Sequence, residues 1–391
     1  MYQIGDEEIE ALKKLFAKKR FYRYHPKEPT ECDQFEAEFA KWMGSSHALI
    51  LTSGTNALLT ALLSVGISPG DEVLIPAYTF IATAAAVVQA GAIPVLVNID
   101  SNLGMDPQDA KSKITPRTKA MIPVHMDGLA ANMSALLEIA KTKNLAVIED
   151  VAQAVGGSYQ GKALGSMGVF GCYSFNENKN ISCGEGGALI TNDRKLYERA
   201  FCLHDAPVQF SPSRKDFFQE ITPFLGFSMR VSDIQGALMR VQLSRLNNIL
   251  KSLRERKKIY VDHLAGIKDV QVLLGHCSEG DCASSLHLQF SDPIQAMTVG
   301  KTLREAGALF APVTTRPAHA GWKWMHLFAD HAHIQPSRNP FLNSTEEYSY
   351  VTSDYLQSID VLTKTVKMDL NIDLSLEETA QHALTIREKL L

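Results

Sequence analysis

His47-Ala48-Leu49-Ile50-Leu51-Thr52-Ser53-Gly54-Thr55-Asn56-Ala57-Leu58-Leu59-Thr60-Ala61-Leu62-Leu63-Ser64-Val65 decides the fold class. A short apolar run, His47–Leu51, reads as a buried strand. Hydroxyls and one glycine follow it, and Asn56–Val65 then carries a helical pattern. The same alternation repeats downstream. Apolar runs at Glu72–Ile75, Ile93–Ile99, Lys119–Val124 and Leu145–Ile148 read as strands. Helical patterns at Ile81–Ala90, Asp106–Lys113 and Ala131–Lys143 separate them. Strands this apolar, alternating with helices, predict an α/β fold: a mainly parallel central sheet with helices on both faces. Ligands of such sheets gather at the carboxyl ends of the strands.

Those strand ends carry the chemistry. Ser53-Gly54-Thr55 opens a helix, where free N–H groups and the helix dipole favour an anion and Gly54 allows close approach. Ser and Thr are also ordinary helix caps. Phe80, after the second strand, is placed either to stack on a flat ring or to pack in the core. His125 can face a ligand or serve the structure. Glu149-Asp150-Val151-Ala152-Gln153 follows four buried apolar residues. A carboxylate there is costly without a cation, so Asp150 calls for a positive partner, or else caps the next turn. Gln153 is within reach of the same ligand.

Tyr173-Ser174-Phe175-Asn176-Glu177-Asn178-Lys179-Asn180-Ile181-Ser182-Cys183-Gly184-Glu185-Gly186-Gly187 sets one lysine between two strand-like runs. A desolvated lysine at a sheet rim gives up its proton readily and attacks carbonyls. Standing alone, Lys179 reads as a surface lysine on a hairpin loop.

The flanks are less directive. Helices are expected at Glu7–Lys19, Cys32–Met43 and Asp193–Leu203, and a long loop at His204–Phe224. Ser232 and Gln235 have capping-box spacing and start a long helix running to Leu264 that joins two domains. These domains are a large one, 1–250, and a small C-terminal α+β one, 251–391. In the small domain, strands are expected at Val270–Leu274, Ser285–Phe290 and Leu309–Val313. Helices are expected at Pro293–Ala306 and from Ser375 to the end. His319, Trp322, Trp324, His326, His331 and His333 cluster, but without metal-ligand spacing, so no metal is assigned and a pocket wall or packing is favoured.

Size and charge narrow the classes. The chain has 391 residues, 45% hydrophobic and 21% charged, with net charge −4, which points to no nucleic-acid or anionic-membrane partner. No run of about 18 apolar residues suggests a membrane span. The acidic, polar start is unlike a signal peptide, and six scattered cysteines fit a reducing cytoplasm.

Jointly, a phosphate cradle, a carboxylate for a ring cation, a stacking aromatic and a nucleophilic lysine match pyridoxal 5′-phosphate (PLP) group for group. The segments Ser53-Gly54-Thr55-Asn56-Ala57, Pro76 to Thr83, Glu149 to Ala154, Ser174-Phe175 to Lys179 and Gly184-Glu185-Gly186-Gly187 resemble the DegT/DnrJ/StrS family of PLP-dependent sugar aminotransferases. That resemblance implies the fold-type-I aminotransferase architecture and a homodimer with shared sites. It implies phosphate contacts from Ser53, Gly54, Thr55 and Ser174, a ring stack on Phe80, and a pyridinium partner in Asp150. Gln153 would meet the ring hydroxyl, and Lys179 would bind the aldehyde covalently. Ser228 stands where the family usually has an Asn reaching the other subunit's phosphate. Arg230 matches the family. Val124-His125-Met126, Phe21-x-Arg23-Tyr24 and the spacing of His319, Trp324 and His326 resemble the 8-amino-3,8-dideoxy-manno-octulosonate branch. Arg23, Arg230 and His319 are therefore expected at the substrate, a keto-sugar, with an amino-acid donor, glutamate foremost. The alternatives are a nucleotide-linked keto-sugar, a PLP-dependent dehydratase (where a His replaces the lysine), and a PLP-binding regulator. A dinucleotide enzyme would need a Gly-x-Gly-x-x-Gly after the first strand, which is missing.

Overall fold

The computed structural model describes residues 3–207, 210, 217–328, 332–333, 335–344, 348 and 350–391. Two helices, α1 (Asp6–Ala17) and α2 (Glu31–Met43), precede the alternating region. Thr30 caps α2, its hydroxyl accepting from the Asp33 N–H, and Gly44 closes it in the left-handed region at φ 65°. Then come β1 (His47–Leu51), α3 (Gly54–Val65), β2 (Glu72–Pro76), α4 (Ala82–Gln89), β3 (Ile93–Val97), α5 (Pro107–Ser112), β4 (Thr118–Met121), α6 (Met133–Lys143) and β5 (Ala146–Asp150). A small hairpin, β6 (Ser158–Tyr159) and β7 (Lys162–Ala163), leads to β8 (Phe170–Ser174), β9 (Gly187–Thr191) and α7 (Arg194–His204).

The seven-stranded sheet has the order β1-β9-β8-β5-β4-β2-β3. From β8 to β3 every pairing is parallel, while β9 runs antiparallel to both β8 and β1. The expected mainly parallel sheet is therefore observed, with helices on both faces. Alternate residues of β1 serve opposite faces. Ala48 and Ile50 join the core that holds Phe35, Phe39 and Leu246, and Leu49 and Leu51 join the core that holds Leu58, Leu62 and Phe201. Burial on both sides is why the strands read as unbroken apolar runs.

The helix α8 (Asp233–Leu264) has 32 residues, and the Ser232 N–H donates to Gln235 Oε1 at 3.1 Å. The division expected at residue 250 falls inside it. It packs against α1, α2 and the last helix. Beyond it lie β10 (Val270–Val272), β11 (Ser285–Phe290), α9 (Pro293–Glu305), β12 (Ala311–Pro312), α10 (Gly321–Trp324), α11 (Leu356–Thr363), β13 (Thr365–Asp369) and α12 (Leu376–Leu390). The second sheet is antiparallel, in the order β10-β11-β13-β12.

Several boundaries differ from expectation for identifiable reasons. β4 stops at Met121, because Pro123 has no N–H to give the ladder. β5 runs on to Asp150, so both acidic residues lie within the strand. The strand expected at Leu309–Val313 reduces to Ala311–Pro312. α11 and β13 were not anticipated. Part of the loop expected at His204–Phe224 lies outside the described residues.

Candidate active site at the carboxyl edge of the sheet

A cavity of ≈ 840 Å³ opens where the ends of β1, β2, β5 and β8 face the second sheet. Ser53, Gly54, Thr55, Phe80, Asp150, Gln153, Ser174, Lys179 and His319 all line it. Their convergence follows from topology, since the ends of parallel strands lie on one edge.

The start of α3 is built for close approach. Ser53 is extended, at φ −165°, and its hydroxyl accepts from the Asn56 N–H at 3.1 Å. A Cβ on Gly54 would lie 2.9 Å from Ser174 Cβ and 3.3 Å from the Tyr173 carbonyl oxygen. A Cβ on Gly187 would lie 2.5 Å from the Ser53 carbonyl oxygen and 2.6 Å from Gly54 N. Three segments thus meet backbone to backbone under the helix N-terminus. First-turn N–H groups have no backbone acceptor within their own helix; the Asn56 N–H is taken by Ser53, and Gly54 and Thr55 line the cavity.

Asp150 ends β5 and is buried. Its Oδ2 accepts from the Thr83 hydroxyl at 2.9 Å and its Oδ1 from the Ala152 N–H at 3.1 Å. Burial nevertheless raises its pKa, against the pull of those donors and of Lys179. Its neighbour Glu149 points to the other side of the strand. Glu149 accepts N–H groups of Gly165, Met167 and Gly168 at 2.8, 2.7 and 2.6 Å, so it organises the glycine-rich connection. His125 is its partner at 3.2 Å and also accepts from the Ala131 N–H, which makes it structural.

Lys179 stands in a pinned loop. Asn180 donates to the Val155 carbonyl at 3.0 Å, and Ser182 donates to the Phe175 carbonyl at 3.0 Å. Burial lowers the Lys179 pKa, with Asp150 and Asp127 opposing. Among the described residues, no carboxylate lies within 4.0 Å of its ammonium. Phe80 is 46% exposed, its ring 5.2 Å from the His319 ring. Gln153 Oε1 accepts from the Asp127 N–H at 3.3 Å.

Three expected residues lie elsewhere. Arg23 is buried against Glu36 at 2.5 Å, and Glu36 also accepts from the Ile50 N–H at 2.8 Å. It therefore holds α2 to β1, and the expectation that it meets substrate within this chain is corrected. Arg230 pairs with Asp205 and does not line the cavity. Ser228 is exposed and bridges Asp205 through the backbone, also outside the cavity. The His/Trp cluster disperses: only His319 lines the cavity, Trp324 is buried, and His331 lies outside the described residues. Among the described residues, no group of three or more His, Cys, Asp or Glu is placed to hold a metal.

The cavity also holds residues that sequence reading passed over: Asp127, Arg316 and Lys367. Asp127 accepts from Lys367 at 2.6 Å, from Arg316 at 2.9 Å and from the Tyr78 hydroxyl at 2.7 Å. Burial disfavours its charge, but Lys367, His287 and Arg316 outweigh that and hold its carboxyl well below the usual range.

Residues 3–338 match the DegT/DnrJ/EryC1/StrS aminotransferase family. The chain belongs to this family. Over 224 residues it is 43% identical to the GDP-perosamine synthase of Caulobacter vibrioides, covering 57% of this chain and 58% of that one. Over 266 residues it is 35% identical to the 3-amino-5-hydroxybenzoate synthase of Amycolatopsis mediterranei, covering 67% of each. The alignment thus spans under two thirds of the first relative's length. A crystal structure of 3-amino-5-hydroxybenzoic acid synthase superposes with a TM-score of 0.82 at 26% identity, covering 100% of this chain and 97% of that one. The family is PLP-dependent, and its architecture is the one described above.

The residues present fit that cofactor. A helix N-terminus without side-chain obstruction at Gly54 suits a phosphate. A buried carboxylate with raised pKa at Asp150 lacks a full cationic partner. A lysine with lowered pKa at Lys179 suits attack on an aldehyde. Among the described residues, no helix is long and apolar enough to cross a membrane.

Proposed function

We propose that the chain transfers an amino group from an amino acid, glutamate foremost, to a keto-sugar. The observation that carries this reading is the convergence of Lys179, Asp150 and the α3 N-terminus on one cavity in a member of an aminotransferase family. When bound, PLP supplies an aldehyde that takes up the amine and a cationic ring that accepts an electron pair.

The chain's own residues do the rest. The N–H groups of Gly54 and Thr55, with the hydroxyls of Ser53 and Ser174, hold the phosphate. Asp150 would accept the ring N–H, and that ion pair would offset the desolvation that raises its pKa. Phe80 would cover the ring and Gln153 would meet the ring hydroxyl. Lys179 would hold the aldehyde and, when free, would carry a proton on Nζ as base and then as acid. A lysine kept partly deprotonated by burial suits that task.

Ser228 and Arg230 lie outside this chain's cavity, so we assign them to the site of a second copy in a homodimer. The acceptor is read as a keto sugar acid of lipopolysaccharide biosynthesis, with a nucleotide-linked keto-sugar as the other candidate. The setting is cytoplasmic.

The test is an absorption spectrum of the purified protein with PLP, before and after L-glutamate. The cofactor band shifts to that of the aminated form if the reading holds. Borohydride reduction and peptide mass spectrometry place the adduct on Lys179. A Lys179→Ala protein that still gives a reducible covalent adduct refutes the assignment.

A further inference from the structure

On the amino-transfer reading, Asp150 has to serve in two charge states. Burial favours its neutral acid, whereas a cationic ring N–H calls for the carboxylate. A buried carboxyl that changes charge strands a donor or an acceptor unless its partners change with it. The partners here are hydroxyls. Thr83, in the first turn of α4, lies 2.9 Å from Asp150 Oδ2, and the Thr79 hydroxyl lies 2.7 Å from that of Thr83. The Phe80 carbonyl oxygen is 3.4 Å from the Thr79 hydroxyl. Both threonines are buried. Their backbone is pinned: the Phe80 carbonyl accepts from the Thr83 N–H at 3.0 Å, and the Thr79 N–H donates to the His319 carbonyl at 3.0 Å.

A hydroxyl has a single proton to give and lone pairs to receive with. That count fixes the direction of the chain. An ionised Asp150 only accepts, so Thr83 donates to it and Thr79 donates to Thr83. A protonated Asp150 donates from Oδ2, because Oδ1 accepts from the Ala152 N–H at 3.1 Å. Thr83 then accepts from Asp150 and donates to Thr79, and Thr79 donates to the Phe80 carbonyl. Each arrangement sets every hydroxyl proton on an acceptor, and only hydrogens rotate between the two. The charged and titratable groups around Asp150 offer no such exchange. Lys179 and His125 act on it through space, and His125 is bonded to Glu149 at 3.2 Å. The thiol of Cys172, opposite Asp150 on β8, is kept protonated by burial and by Asp150 and Glu149.

We propose that Thr79 and Thr83 are a positioning pair whose hydroxyl protons reverse together, so that Asp150 is fully hydrogen-bonded both as acid and as carboxylate. The inference rests on the amino-transfer reading in one respect: a ring cation is what draws Asp150 into its charged form. The pair acts through Asp150.

The experiment titrates Asp150 in the cofactor-free protein by NMR of carboxyl-labelled aspartate, with Asp150→Asn to assign the resonance. Valine keeps the shape of threonine without its hydroxyl. Thr83→Val takes a charge-assisted bond from the carboxylate and a weaker neutral one from the acid, so the midpoint should rise by about one pH unit. Thr79→Val should move it the other way, down by about half a pH unit. There the acid form strands the Thr83 proton, while the carboxylate form loses only a donor to a Thr83 lone pair. Thr83→Ser and Thr79→Ser keep the hydroxyls and should stay within about 0.3 pH units of wild type. Opposite shifts with serine rescue support the pair. An unmoved midpoint in Thr79→Val, or a rise in both valine variants, overturns it, since Thr83 would then be a plain donor. If Thr83→Val does not fold, Thr79→Val decides alone, because it leaves the contacts of Asp150 itself intact. A second arm measures cofactor affinity by equilibrium dialysis. Thr83→Val should weaken PLP roughly 10-fold and deaza-PLP, with carbon in place of the ring nitrogen, less than about 3-fold. Equal weakening overturns the pairing of Asp150 with a ring cation. A wild type that takes up no PLP overturns the amino-transfer reading, and the cofactor-free titration still judges the pair.

Discussion

Gly187→Ala tests whether the phosphate cradle is held by backbone contact. Gly187 opens β9, opposite Leu51 on β1 and Ser174 on β8. A methyl group there would lie 2.5 Å from the Ser53 oxygen and 2.6 Å from Gly54 N, with the Ser53 carbonyl carbon also in the way. All three are backbone atoms, so no side chain can swing aside. Relief demands a displacement of roughly 1 Å in the Ser53–Gly54 segment, within a tightly packed core. Overpacking of this kind costs about 1–3 kcal/mol, and a backbone obstacle places it near the upper end. The same displacement misaims at least one N–H of the α3 first turn. A hydrogen bond to a charged group is worth about 1.5–3 kcal/mol, so PLP affinity should fall roughly 10- to 150-fold. Urea denaturation of the cofactor-free protein measures the first effect. Equilibrium dialysis of PLP against pyridoxal, which has no phosphate, measures the second. The PLP-to-pyridoxal affinity ratio must drop. An unchanged urea midpoint together with an unchanged ratio would refute the argument.

The remaining predictions concern charge and packing. Burial raises the Asp150 pKa, so the folded cofactor-free chain holds that proton more tightly than the unfolded one. The associated stability is full below the unfolded carboxylate pKa and is lost as pH rises through the folded value. Asp150→Asn should therefore gain stability over wild type between about pH 4 and pH 7, and PLP should shrink the gain; urea midpoints across pH check both. His319 is pushed down to about 4 by burial and by Arg316, so its stability contribution is present above the ordinary histidine pKa and is lost as pH falls through about 4. Its ring resonances in an NMR titration should stay neutral from pH 8 to about 5, and a midpoint above about 6 contradicts this. Phe39 is buried against Phe35, Tyr173 and Phe175 at ring distances of 5.4, 5.0 and 5.7 Å. Phe39→Ala should cost about 3–5 kcal/mol by urea denaturation, and a loss below about 1 kcal/mol contradicts it.

What could be read in advance depended on whether the signal was local. The β1–α3 passage was legible because an apolar run, a hydroxyl-rich turn and a helical pattern lie end to end. Asp150 was legible because a carboxylate after buried strand residues is expensive wherever the chain goes next. Arg23 was misread because its charge is visible in the sequence but its partner is not. Glu36 lies 13 residues away on α2 and reaches it only once that helix packs on β1. Asp127 was passed over because nothing near it in the sequence marks it. Its cations come from 189 and 240 residues further along the chain. Thr365-Val366-Lys367-Met368-Asp369 did carry a usable sign, alternating buried Val366 and Met368 with less buried Lys367 and exposed Asp369. Attention to that period would have placed Lys367 on a strand face.

The two buried carboxylates of the cavity are pushed in opposite directions, and that contrast bears on what the cavity takes. Asp150 has hydrogen-bond donors but no cation within 4.0 Å among the described residues, and burial wins. Asp127 has two cations in contact, and burial loses. The Asp150 wall is therefore short of positive charge, while on the second wall two cations face two carboxylates, Asp127 and Asp369. Lys179 senses both carboxylates and both cations of the second wall. A ligand that balances the first wall must bring a cation to Asp150. A protonated heterocycle would satisfy that wall. Electroneutrality beside the buried Asp150 thus favours a ligand with a cationic ring over a neutral one.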